Sequence, residues 1–116
     1  MKKQMTLPEP IASYVRAVNA GDADAFLSVF ADDAVVLDVG RKMSGRDAIQ
    51  KWSLHDIFGV AARLDPVKVR ESDEGTVVTI KIDGTFDRTG LPDPLLMDHA
   101  FKVRGRQILE LKVTFT

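Results

Sequence analysis

Apolar positions in the first third of the chain recur at the spacing of an α-helix. Ile11, Tyr14, Val15 and Val18 fall at i, i+3, i+4 and i+7, behind Pro8 and Pro10, which restrict the entry of the chain. Gly21 predicts the left-handed stop of that helix, and Asp22 is placed to cap the next one. The second helix carries Phe26, Leu27 and Phe30 on its apolar side and ends at ADDA. AVVLDVG is short and β-branched, and predicts a strand. SGRDAIQKW begins with Ser44 three residues before Asp47, a capping-box-like start, and its helix buries Ile49 and Trp52.

From about residue 60 the period changes from 3.6 to 2. Val78, Ile80, Ile82, Gly84 and Phe86 alternate with Val77, Thr79, Lys81, Asp83 and Thr85, which predicts a strand with one wet face. GLPDP is a turn by its glycine and two prolines. QILELKVTFT alternates Leu109, Leu111, Val113 and Phe115 against Glu110, Lys112 and Thr114, with Gly105 making the hairpin before it. Helices first and hairpin-linked strands after them define an α+β domain. Its expected architecture is three N-terminal helices laid on one face of a strongly curved, mostly antiparallel sheet, in a single domain spanning residues 1–116.

LLMDHAFK interrupts this pattern with two ionisable groups in an apolar run. A buried carboxylate costs several kcal/mol unless it is paired, hydrogen-bonded or protonated. Regular alternation places Met97, His99, Phe101 and Val103 on the apolar face, with Asp98, Ala100 and Lys102 opposite. A β-bulge near residues 99–100 would instead bring Asp98 beside Phe101 and Val103. The parity of this strand therefore decides which group faces a core.

Composition narrows the options by exclusion. With 45% hydrophobic and 28% charged residues the chain is an ordinary globular protein, and a net charge of −1 predicts no nucleic-acid surface. The absence of cysteine removes disulfides and thiolate chemistry, a pattern consistent with the cytoplasm. Two histidines, His55 and His99, are too few for a metal cluster, so no metal is expected. The basic start MKKQMTLPEP lacks the apolar run of a signal peptide, and no apolar run is long enough to cross a bilayer, so no membrane contact is expected.

Three polar groups remain in apolar settings: Tyr14, Asp38 and Asp98. A tyrosine on a helix stripe is ordinarily a core aromatic, and an aspartate before Val39 and Gly40 equally suits a strand-end turn. Taken together, however, they lie in a recognisable arrangement. YVRAVNAGDADAFLSVFADDAVVLD resembles the N-terminal half of the Δ5-3-ketosteroid isomerases, within the nuclear-transport-factor-2-like (SnoaL-like) cone folds. The likeness is densest over residues 11–38, recurs at SGRDAI and MDH, and loosely covers the rest.

The resemblance implies a cone-shaped fold around an apolar pocket, and an enzyme that moves a C=C bond by proton transfer alpha to the ketone of a small, steroid-like substrate. Asp38 would be the base, while Tyr14 and a protonated Asp98 would donate to the developing oxyanion. Phe30, Trp52, Phe86, His99 and Phe101 would line the substrate pocket. No cofactor is implied, and a homodimer is. Two departures stand out: Tyr14 is the only tyrosine, and Ser53 follows Trp52 where an aromatic-plus-tyrosine pair is usual. Two other readings share the fold. One is a SnoaL-like cyclase, dehydratase or hydrolase using Asp38 and His99 as an acid–base pair. The other is a non-catalytic dimeric module that holds an apolar small molecule.

Overall fold

The computed structural model describes residues 6–116. The basic start read as too polar for a signal peptide lies largely outside these residues. Helix α1 (Glu9–Ala20) ends where Gly21 adopts φ 68°, and its N–H closes back onto the helix carbonyls. Asp22 then caps α2 (Ala23–Ser28), its carboxylate accepting from the Ala25 N–H at 3.0 Å. Of the predicted α1 stripe, Ile11, Tyr14 and Val18 are each less than 5% exposed, while Val15 is only half-buried and Ala17 takes the fully buried place beside Val18.

Phe30, expected on α2, instead begins strand β1 (Phe30–Asp38). The register of β1 against β6 shifts between Phe30 and Val35, which interrupts the ladder just after Phe30. Arg46 gives the Phe30 carbonyl two donors at 2.6 and 3.0 Å, and Gln107 adds a third at 3.3 Å. After β1 a two-residue turn at Val39 and Gly40 leads into the short β2 (Arg41–Ser44). Helix α3 (Gly45–Ser53) starts at Ser44 as expected, but the Ser44 side chain makes no cap hydrogen bond. A five-residue π-helical turn, Leu54–Phe58, extends α3.

Strands β3 (Arg63–Ser72), β4 (Gly75–Asp83), β5 (Leu96–Arg104) and β6 (Gln107–Phe115) complete one six-stranded sheet of order β2-β1-β6-β5-β4-β3. The sheet is mixed, because β1 runs parallel to β6 while every other pair is antiparallel. This is the expected α+β architecture of helices packed on a sheet. Asn19 ties α1 to the sheet edge by exchanging two hydrogen bonds with the Leu64 backbone, at 2.9 and 2.7 Å.

The parity of β5 is unbroken through residues 97–102, which pair one for one with β6. The register shift falls later, where Lys102 and Val103 oppose Glu110 and Ile108 and Leu109 is the extra residue. That shift turns Ile108 into the core, where it is fully buried. The bulge therefore leaves Asp98 and His99 on opposite faces of the sheet.

Candidate active site

The register of three adjacent strands assembles the site. Asp38 on β1 pairs with Val113 on β6, and Val113 pairs with His99 on β5. Residues in register share a face, so the carboxylate and the imidazole point to the same side from backbones about 10 Å apart. Both line a cavity of about 470 Å³. Its walls are apolar, with Val18, Ile57, Leu64, Ile82, Leu91 and Met97 among them.

Tyr14 enters the cavity from α1. Its ring is wedged among Phe26, Phe30 and Phe101, with centroids at 5.3, 6.2 and 5.3 Å, and lies 6.4 Å from the His99 ring. Tilted and edge-on pairs of this kind fix a ring beyond what burial alone provides. Its hydroxyl has no hydrogen-bond partner among the described residues, where no buried side-chain polar atom is left unpaired, so the group opens onto the cavity. Burial, and secondarily the Asp38 charge, pushes the Tyr14 hydroxyl well above its ordinary value and keeps it a proton-bearing donor.

One oxygen of Asp38 is held from two sides. Trp52 Nε1 donates to Oδ2 at 3.0 Å, and Arg41 donates to the same oxygen at 2.8 Å. The tight turn places Arg41 directly opposite Asp38 in the β1–β2 ladder. Oδ1 has no partner among the described residues and is left to a ligand.

His99 is 3% exposed, and desolvation lowers its pKa from 6.5 to about 4, against the opposing influence of the Met97 carbonyl and of Asp38 and Asp98. It is therefore neutral at pH 7. Its Nδ1 lies 3.3 Å from the Met97 carbonyl, which can only accept, so the proton sits on Nδ1 and Nε2 keeps its lone pair. The three groups thus present one donor, Tyr14, and two acceptors, Asp38 Oδ1 and His99 Nε2.

Of the residues expected at the site, Tyr14, Asp38, Trp52, Phe86 and His99 line the cavity. Phe30 and Phe101 do not line it; they are at most 1% exposed and back the Tyr14 ring from behind. Asp98 is the main correction. With no bulge beside it, its side chain lies on the opposite face of the sheet. There it accepts from Thr79 Oγ1 at 2.6 Å, with Arg70 3.6 Å away. It shares that face with Glu74 and Lys112 rather than with the cavity.

Three polar residues at the site were not anticipated. His55 and Asp56 line the cavity from the π-helical turn, and Arg41 bridges Asp56 and Asp38 through one guanidinium nitrogen. On this turn His55 Nδ1 meets the carboxylate of its neighbour Asp56. Partial burial opposes ionisation of Asp56, but hydrogen bonds from Arg41 and His55 outweigh it and hold its carboxyl below the usual range. No group of three or more metal-ligating side chains forms among the described residues.

Three helices on a six-stranded mixed sheet, closing over a pocket at the ends of β1, β5 and β6, define the nuclear-transport-factor-2-like cone fold. Within that class the chain belongs to the SnoaL-like domain family, whose model matches residues 11–111. It is similar in structure to a polyketide cyclase-like protein from Sinorhizobium meliloti, at 26% identity and TM-score 0.81, covering 93% of this chain and 95% of that one. SalBIII, an epoxide hydrolase/cyclase-like enzyme of pyran ring formation in the polyether salinomycin, matches at 21% identity and TM-score 0.74, covering 93% and 88%. A Δ5-3-ketosteroid isomerase from Mycobacterium sp. matches at 18% identity and TM-score 0.71, covering 92% and 90%. No curated protein matches the sequence.

Proposed function

We propose that this chain is an enzyme of the cyclase/hydrolase kind, which activates a hydroxyl group for attack on a carbon–oxygen electrophile inside the apolar cavity. The observation that carries this reading is the shared face of Asp38 and His99, with Asp98 on the other side of the sheet. An isomerase site needs two donors aimed at the developing oxyanion. Here Tyr14 is the one donor, while Asp38 Oδ1 and His99 Nε2 both accept. One acceptor suits the proton of a hydroxyl nucleophile, and the other suits the second O–H of water or a second substrate hydroxyl.

Asp38 Oδ1 takes the hydroxyl proton as the oxygen attacks an epoxide or carbonyl carbon. His99 Nε2 accepts from the second O–H when the nucleophile is water, or from a second hydroxyl of the substrate when the nucleophile is an alcohol. Tyr14 donates to the electrophile's oxygen as it gains charge, and the proton on Asp38 then returns to that oxygen. One bond forms to carbon, one carbon–oxygen bond opens, and the base is regenerated. If the nucleophile belongs to the substrate the product is a ring; if it is water the product is a hydrolysed diol or hydrate.

Hydrophobic hydroxy-epoxides sized for about 470 Å³, incubated in water enriched in heavy oxygen, test the reading. Cyclic product without label, or diol with label, is expected. Asp38→Asn should lower either rate by at least about a hundredfold, and Tyr14→Phe should lower it less. The Δ5-isomerase assay, read as conjugated-enone absorbance, is the counter-test. Turnover there, with none on hydroxy-epoxides, would replace this proposal with the isomerase reading. Saturable binding without any turnover would leave a binding module.

A further inference from the structure

The charged groups at the cavity form a chain that the catalytic reading does not use. Arg41 is the one arginine or lysine contacting the acids of the cavity among the described residues, and neither Lys nor Arg lines the cavity itself. A single guanidinium nitrogen serves both Asp38 Oδ2 and Asp56 Oδ2, so its donors on that side are consumed. Trp52 Nε1–H is taken up by Asp38, and the Nδ1–H of His99 is directed to the Met97 carbonyl. His55 turns its Nδ1 to Asp56. Two carboxylates share one guanidinium, and with Arg41 and His55 Nδ1 both turned to these acids a ligand entering the cavity meets no free cation among the described residues.

We propose that Asp56 is a specificity-determining residue: by engaging Arg41 it withdraws that cation from ligand recognition, so the cavity accepts uncharged or ammonium-bearing hydrophobic molecules and rejects carboxylates. In a low-dielectric pocket an anionic ligand is repelled by both acids and gains only the Tyr14 hydroxyl as donor. An alcohol of the same shape is not repelled, and its one O–H donates to Asp38 Oδ1 or to His99 Nε2. The inference rests on the cavity being the ligand site and is independent of whether Asp38 acts as a base.

Calorimetric titration with adamantanemethanol, adamantanemethylammonium and adamantanecarboxylate at neutral pH tests it, with fluorescence of Trp52, the only tryptophan, as a second readout. The alcohol and the ammonium ion should bind the wild type, with the carboxylate at least about tenfold weaker. Asp56→Asn removes one charge and frees the Arg41 N–H that Asp56 held, so it should close most of that gap by improving carboxylate binding. Asp56→Ala serves as the second variant should the asparagine keep the Arg41 contact, and thermal melting checks that each remains folded. Adding Arg41→Gln to Asp56→Asn should restore the rejection. Equal binding of alcohol and carboxylate by the wild type overturns the proposal, as does an unchanged ratio in both Asp56 variants. If none of the three probes binds any of the proteins, the cavity reading itself fails and takes the proposal with it.

Discussion

Replacing His99 by asparagine is expected to flatten the acid side of the stability curve. His99 is buried in a neutral form, its pKa lowered from 6.5 to about 4 by desolvation. Above pH 6.5 the imidazole is neutral in both folded and unfolded chains and contributes no pH dependence. As pH falls from 6.5 towards 4, the unfolded chain binds a proton that the folded one refuses, so stability is lost across that window. A gap of 6.5 to about 4, at about 1.4 kcal/mol per pH unit, amounts to about 3.5 kcal/mol in full, of which about 3 kcal/mol is lost by pH 4. Asparagine does not titrate there, and its amide can still donate towards the Met97 carbonyl. Urea unfolding of wild type and His99→Asn at a series of pH values isolates the effect, because the other carboxylates and His55 are common to both proteins and largely cancel. The wild type should lose about 3 kcal/mol more than the variant between pH 7 and pH 4, and the His99 ring protons should titrate near the lower value by NMR. Parallel stability profiles would show that His99 protonates equally well in the folded state. The neutral-acceptor role assigned to it would then fail.

Other expectations follow from the same geometry. Asp98→Asn should cost about 1 kcal/mol through its weakened Thr79 hydrogen bond, yet leave binding of cavity ligands unchanged by calorimetry; a loss of ligand affinity would put Asp98 back in the site. Val39 is β-branched at φ 48°, a left-handed conformation that costs such a residue about 1–2 kcal/mol. Val39→Asn should therefore raise stability by about 1 kcal/mol in urea unfolding, and an unchanged or lower value would mean the turn is not strained. The homodimer implied by the family resemblance predicts a sedimentation mass of twice the 12.8 kDa chain, and a single-chain mass at micromolar concentration would count against it.

What could be read in advance was whatever depends on near neighbours in sequence. The Gly21 stop and the Asp22 cap are set by local spacing and are present, whereas the alternation of β4 yields a wet face only at Lys81 and Asp83, because Val77 and Thr79 are buried on the other side of the sheet. Phe30 escaped because its place depends on Arg46 and Gln107, residues 16 and 77 positions away, which hold the carbonyl where the helix gives way to strand. Arg41, His55 and Asp56 escaped for a related reason. A guanidinium in a two-residue hairpin and two side chains on a π turn look like solvated surface until the fold brings them together.

The Asp98–His99 pair lies between these cases. Alternation alone pointed His99 inward, the family resemblance needed a bulge to bring Asp98 there, and only the position of one extra residue could choose. Leu109 takes the bulge on β6, where it offsets the strand beyond Lys102 and leaves the cavity end in regular register. Had the same residue been absorbed at 99–100, a carboxyl would have entered the cavity beside Tyr14, and the polar set would have resembled an oxyanion hole. As built, the entering group is an imidazole whose desolvation keeps it neutral and whose tautomer makes it an acceptor. One register step thus exchanges a carboxyl for an imidazole acceptor at the cavity, the exchange on which the proposed activation of a hydroxyl nucleophile rests, without changing any residue of the strand that carries both groups.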